Sequence, residues 1–196
     1  MVRLELLSLE ETIERIIKLN TGLSEFWSNA SGWAPDGAAA LMSKSRLDRQ
    51  VSLSKCLRIW IDDKTQNMGD GALILAWANL GSLIEGTLKL FLAVYYDDYQ
   101  KDIEAFKDAR GNIIDPDILT LERLRVFFNK KNLWADKWNE FVLNVQRYRN
   151  AIHFFKDREI GTFEEFEKKV IIYLLLIREI NSRLPYPDEI YKPREI

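Results

Sequence analysis

Cysteine and histidine occur once each in the 196 residues, as Cys56 and His153, and that scarcity excludes whole classes of chemistry. A lone cysteine closes no internal disulfide, and a structural zinc site needs about four Cys or His ligands. Prolines (five) and glycines (nine) are sparse, and no linker rich in Gly, Ser or Pro divides the chain. Long hydrophobic runs are missing too. The most apolar stretch, 71–84, lies between Asp70 and Glu85 and falls short of the roughly 20 residues that span a bilayer, so it reads as a buried central helix and no membrane is expected as a partner. Residues 1–10 are mixed and acidic, without the basic and apolar segments of a secretory leader. The expected compartment is therefore the reducing cytoplasm. No phosphate loop, dinucleotide glycine fingerprint, nucleophile elbow or carboxylate–histidine metal repeat occurs, so neither a metal nor a cofactor is expected.

What is present is a hydrophobic fraction of 47%, too high for disorder, in a length suited to one domain with a real core. A net charge of −2 argues against a nucleic-acid coat protein but leaves room for a local basic surface. Ser8 and Glu11 form a capping-box pattern, followed by Leu9, Ile13, Ile16, Ile17 and Leu23 at helical spacing. Gly32 and Pro35 break the chain before a short Ala-rich helix over 35–45. Ser45 is placed to cap the next helix, in which Leu47, Val51, Leu57 and Trp60 share a face. A polar turn over 62–71 leads into the longest helix, 71–96, and a charged stretch over 97–112 carries no clear period. Asp117 opens a helix with Leu121, Leu124 and Phe128. Thr162 and Glu165 repeat the capping box ahead of a last helix, about 163–184, that Pro185 and Pro187 end. No β-period appears. The expectation is a single all-α domain over 1–196, a bundle of about six or seven helices with a loose tail at 185–196.

The segment 132–155 carries the chemistry. Trp134, Trp138, Phe141, Val145, Tyr148, Ile152 and Phe155 alternate spacings of four and three, which predicts one helix with a buried seam from Asn132 to about Phe155. On such a helix Arg149 and His153 are surface neighbours just off the seam, and Gln146 and Asn150 extend the same polar strip. Arg147 points largely the other way. Between Leu121 and Ile160 nine basic residues face five acidic ones, a local charge of +4 against −6 elsewhere. Lys156 and Arg158 lie at one end of this basic region. Glu85 interrupts the apolar helix, with Lys89 at i+4; it reads either as an intrahelical pair or as a buried carboxylate holding Arg147 or Arg149. Asp157, at i+4 from His153, is a candidate local partner for the imidazole.

The string Arg147-Tyr-Arg-Asn-Ala-Ile-His153 resembles the signature of the HEPN superfamily (higher eukaryotes and prokaryotes nucleotide-binding domains), an arginine followed after four to six residues by a histidine on a late helix of an all-α bundle. The longer strings SKSRLDRQVSLSKCLRIW and RNAIHFFKDREIGTFEEFE also resemble bacterial proteins, a likeness that brings no function with it. Five residues separate Arg147 from His153, the family spacing. Three separate Arg149 from His153, and Asn150 follows Arg149 as a polar residue follows the family's arginine. Helical geometry favours Arg149 as the partner of His153, whereas the family spacing favours Arg147; Arg149 is the expected partner, with Arg147 as the alternative or as a phosphate contact. The resemblance implies metal-independent RNA cleavage at a homodimer cleft, in a toxin–antitoxin or anti-phage setting with a protein antitoxin as partner. The residue types suit the reaction. An imidazole titrating near neutrality takes or gives a proton at the ribose 2′-OH or the leaving oxygen, and a guanidinium braces the phosphate. One histidine does not serve easily as both base and acid, so two copies related by a twofold axis are expected. Arg149, Asn150 and His153 are thus the candidate catalytic residues, Arg147, Gln146, Lys156 and Arg158 the candidate substrate contacts, and Glu85 and Asp157 the supporting ones. The rival expectations are a non-catalytic helical module that binds a nucleotide, RNA or protein through this strip, and a structural dimerisation bundle.

Overall fold

The computed structural model describes residues 7–153 and 155–195, and among them the fold is all-helical, with nine α-helices. They are α1 (Leu9–Trp27), α2 (Asp36–Lys44), α3 (Leu47–Trp60), α4 (Asp63–Gln66), α5 (Asp70–Val94), α6 (Tyr96–Lys101), α7 (Leu121–Lys130), α8 (Asp136–Arg149) and α9 (Phe163–Arg183). The count exceeds six or seven because α4 and α6 form where only a turn and a charged stretch were expected. Asp62 accepts from the amides of Lys64 and Thr65, which is enough to start the four-residue α4.

Both capping boxes are formed. Ser8 and Glu11 exchange side-chain and backbone bonds at the start of α1, and Thr162 and Glu165 do so at α9. Ser45 behaves otherwise than expected: its hydroxyl donates to the Met42 carbonyl at 2.6 Å, so it closes α2 instead of capping α3. The helix after Asp117 begins later than the sequence suggests. Pro116–Ile118 is a 3-10 turn, and Thr120 caps α7.

α5 is the axle of the bundle. By length and composition it could cross a membrane, yet most of it is buried inside the fold, the position of a core helix. α2, α3, α7, α8 and α9 all pack on it, and α1 lies against α3 and α9. The apolar side chains of α5 account for this: Trp77, Leu80, Leu83, Ile84 and Leu88 are fully buried. Indole N–H groups tie neighbouring elements together, among them those of Trp77 and Trp138. Trp77 donates to the Ile160 carbonyl at 2.7 Å, and Trp138 on α8 donates to Glu179 on α9 at 2.7 Å.

The expected loose tail is instead strapped down. Glu195 bonds Arg178 on α9 at 2.6 Å and Arg15 on α1 at 3.3 Å. Asn181 donates to the Pro193 carbonyl, and the Tyr186 hydroxyl donates to Asn181 at 2.6 Å. The residues that hold it are spread along α1 and α9, which is why no local pattern announced the contact.

Candidate functional site

α8 ends earlier than its apolar period. The helix stops at Arg149, and Asn150–Ile152 continue as a 3-10 turn. Tyr148 is the last member of the seam to reach the core, stacked on Trp77 at 4.7 Å between ring centroids. Ile152 is 45% exposed and Phe155 95% exposed, so these two do not extend the buried seam. The expected helix to Phe155 is thereby corrected. Beyond Tyr148 the 3-10 turn still packs on α5, but its buried residue is Ala151 and not Ile152, so burial departs from the helical period. The chain must also turn back into α9, which it does through Gly161 at φ 66°, a left-handed conformation that favours glycine.

This early stop changes the geometry of the strip. A 3-10 turn advances by about 120° per residue, so His153 is carried off the face it would share with Arg149 on a continuous α-helix. His153 is exposed, and its imidazole has no hydrogen-bond partner among the described residues, Asp157 included. Lys156, Asp157 and Arg158 are exposed as well.

Arg149, Asn150, Gln146 and Glu85 line one depression of about 310 Å³, together with Lys89, the 3-10 turn and the start of α7. Its centre is a shared carboxylate. Glu85 receives Arg149 at 2.8 Å on one oxygen and Lys89 at 2.9 Å on the other, so the intrahelical pair and the holding carboxylate are both present. Burial pushes the Glu85 carboxyl up, but the bonds from Arg149 and Lys89 outweigh it and hold the group below the ordinary carboxylate value. The Arg149 stem reaches Glu85 across Gly81, where an added Cβ would stand 2.6 Å from Arg149 Cδ. A glycine at this point of α5 is what opens the path. Gln146 Oε1 is buried without a hydrogen-bond partner among the described residues. Glu122, on the same rim, is held low by Arg125 and by the Gln146 amide despite some desolvation.

Arg147 faces elsewhere. With Arg158, Asn144, Tyr148 and Glu159 it lines a second depression of about 240 Å³. The two depressions flank the end of α8, and His153 lines neither. Much of the local basic excess is spent inside the fold. Lys130 pairs with Glu104, Lys131 with Asp102 and Arg125 with Glu122, while Lys137 lies 4.7 Å over the Trp138 ring. Arg147, Lys156 and Arg158 have no ion pair among the described residues, nor has Arg123 on α7, which lies 5.5 Å over the Phe106 ring; the first three are the unpaired cations near the end of α8. Sequence reasoning found Glu85 but missed Gly81. Its signal was a glycine one turn before Glu85 in an otherwise apolar helix.

No group of three or more His, Cys, Asp and Glu residues among those described is placed to hold a metal ion. The chain matches no protein-family model, and no curated protein or solved structure is significantly similar to it.

Proposed function

We propose that this protein is a metal-independent endoribonuclease of the HEPN type, active as a cytoplasmic homodimer. The observation that carries the reading is Arg149, pre-oriented by Glu85 at the end of α8, with an exposed and unbonded imidazole four residues further along. Arg149 braces the phosphate as negative charge develops, and His153 handles the proton of the 2′-OH or of the leaving oxygen. Because His153 lines neither depression within one chain, the complete Arg–His pair is assigned to two protomers, one contributing Arg149 and Asn150 and the other His153. Arg147, Lys156 and Arg158 serve as phosphate contacts on either side.

A second reading is favoured by the charge count at Glu85. One carboxylate there offsets two cations, which leaves a site suited to a single phosphate. On that reading the protein binds RNA or a nucleotide without cleaving it.

Incubation with single-stranded RNA in EDTA separates the two. The enzyme reading expects cleavage by the native chain, loss of at least about a hundredfold in His153→Ala, the low end of general acid–base catalysis, and no attack on DNA. Mixing His153→Ala with Arg149→Ala restores activity when each protomer supplies one half of the site. Equal traces from the native chain and from His153→Ala overturn the enzyme reading, and retained RNA binding in both then selects the second one.

A further inference from the structure

A separate cavity of about 250 Å³ opens between the C-terminal part of α5, α6, the end of α7 and the end of α9. Its floor is aromatic: Phe91, Tyr99 and Phe127 are buried, and Tyr95 is half-buried. The phenol groups are engaged elsewhere, Tyr95 with the Arg183 carbonyl and Tyr99 with the Ile114 carbonyl at 2.9 Å. These tyrosines therefore offer ring surface and not hydroxyls. The Arg183 guanidinium lies 4.8 Å over the Phe91 ring, a flat cationic shelf on which a second planar group can stack. One of its donors goes to the Leu133 carbonyl and the others have no partner among the described residues. Lys131 and Asp102 neutralise each other at 2.9 Å, and an amide N–H occupies the other Asp102 oxygen. Asp98 differs: it is exposed, lines the cavity and has no ion pair among the described residues.

We infer that this cavity binds a small planar amino-heterocycle, its ring against the aromatic floor and the Arg183 shelf, its exocyclic amino group donating to Asp98. The ring surfaces require a flat occupant. The volume lies below the roughly 300–1,000 Å³ of drug-sized pockets, which limits it to one or two rings. The free polar groups, one carboxylate and the remaining guanidinium donors, ask for an edge that donates at one point and accepts at another. An amino group beside a ring nitrogen has that edge; a simple cation or a carboxylic acid does not. Arg183 and Asp98 both act on the Tyr95 phenol, in opposite directions, beyond the upward push of its burial. Both side chains line this one cavity of about 250 Å³, which places them around the same occupant. No residue of the α8 terminus takes part, so the inference stands independently of RNA cleavage.

The test is saturation-transfer NMR on the full chain with adenine and cytosine as probes, and with purine and benzylamine for comparison. Adenine and cytosine are expected to bind, and purine, which lacks the amino group, to bind at least about tenfold more weakly. Asp98→Asn, at an exposed position without an ion pair, is expected to keep native circular dichroism and to lose at least about tenfold in adenine affinity. No transfer from adenine or cytosine overturns the inference. So does purine binding as well as adenine, benzylamine binding in place of the amino-heterocycles, or an affinity unchanged by Asp98→Asn.

Discussion

Glu85 answers two cations with one carboxylate, and removing its charge has consequences for stability and for the site. Its carboxyl is held below the ordinary value, so its stabilising contribution is present above that value and is lost as the pH falls through the lower folded-state value. Glu85→Gln is expected to cost about 1–2 kcal/mol near neutrality, and the gap from the native chain to close in strongly acidic solution; urea midpoints across pH measure it. Gly81→Ala probes the same site with the opposite bias. Alanine favours the helix by up to about 1 kcal/mol over glycine, yet its Cβ displaces the Arg149 stem from its path. The expected outcome is a melting temperature changed by only a few degrees and, on the proposed ribonuclease reading, a clear loss of RNA cleavage. Full cleavage by Gly81→Ala would show that the placement of Arg149 is immaterial.

At the scale of elements, helices were legible where a cap and a period agreed. Ser8–Glu11 and Thr162–Glu165 announced α1 and α9 because a capping box is local chemistry, complete within four residues. Thr162→Ala is expected to lower stability by about 1 kcal/mol in urea denaturation, the usual worth of such a cap. The end of α8 was not legible for the converse reason. Its spacing of fours and threes runs on through Ile152 and Phe155, but a period becomes a buried face only where another element covers it. Past Tyr148 the chain tightens into a 3-10 turn that packs on α5 through a different register, burying Ala151 instead of Ile152, and His153 leaves the face that periodicity assigned to it. Three candidate residues, Gln146, Arg149 and Asn150, did gather in one depression with Glu85. Arg147 and Arg158 gathered in another, and Lys156 and Asp157 joined neither, because their placement depends on a loop that no local pattern encodes.

Across the whole molecule, three helices meet in a buried polar knot. The Tyr173 hydroxyl on α9 lies 3.0 Å from Thr87 on α5 and 3.4 Å from the Gln50 amide on α3, with the Leu83 carbonyl also in reach. Burial is the dominant cause and pushes this phenol up to about 12, against 10.0 for an ordinary tyrosine. Because the folded value is raised, the associated stability is complete below pH 10 and drains away as the pH climbs toward 12, by about 3 kcal/mol in all. Alkaline unfolding is expected to begin near pH 10, and Tyr173→Phe to flatten the dependence; titration followed by circular dichroism tests both. The same helix completes α1, whose other flank rests on α3. During synthesis α3 follows α1 within a few seconds, whereas α9 and the strap that carries Glu195 emerge roughly ten to thirty seconds later at ordinary elongation rates. The nascent chain therefore carries one flank of α1 uncovered until α9 has been made, and that flank closes only when two segments far apart in sequence meet.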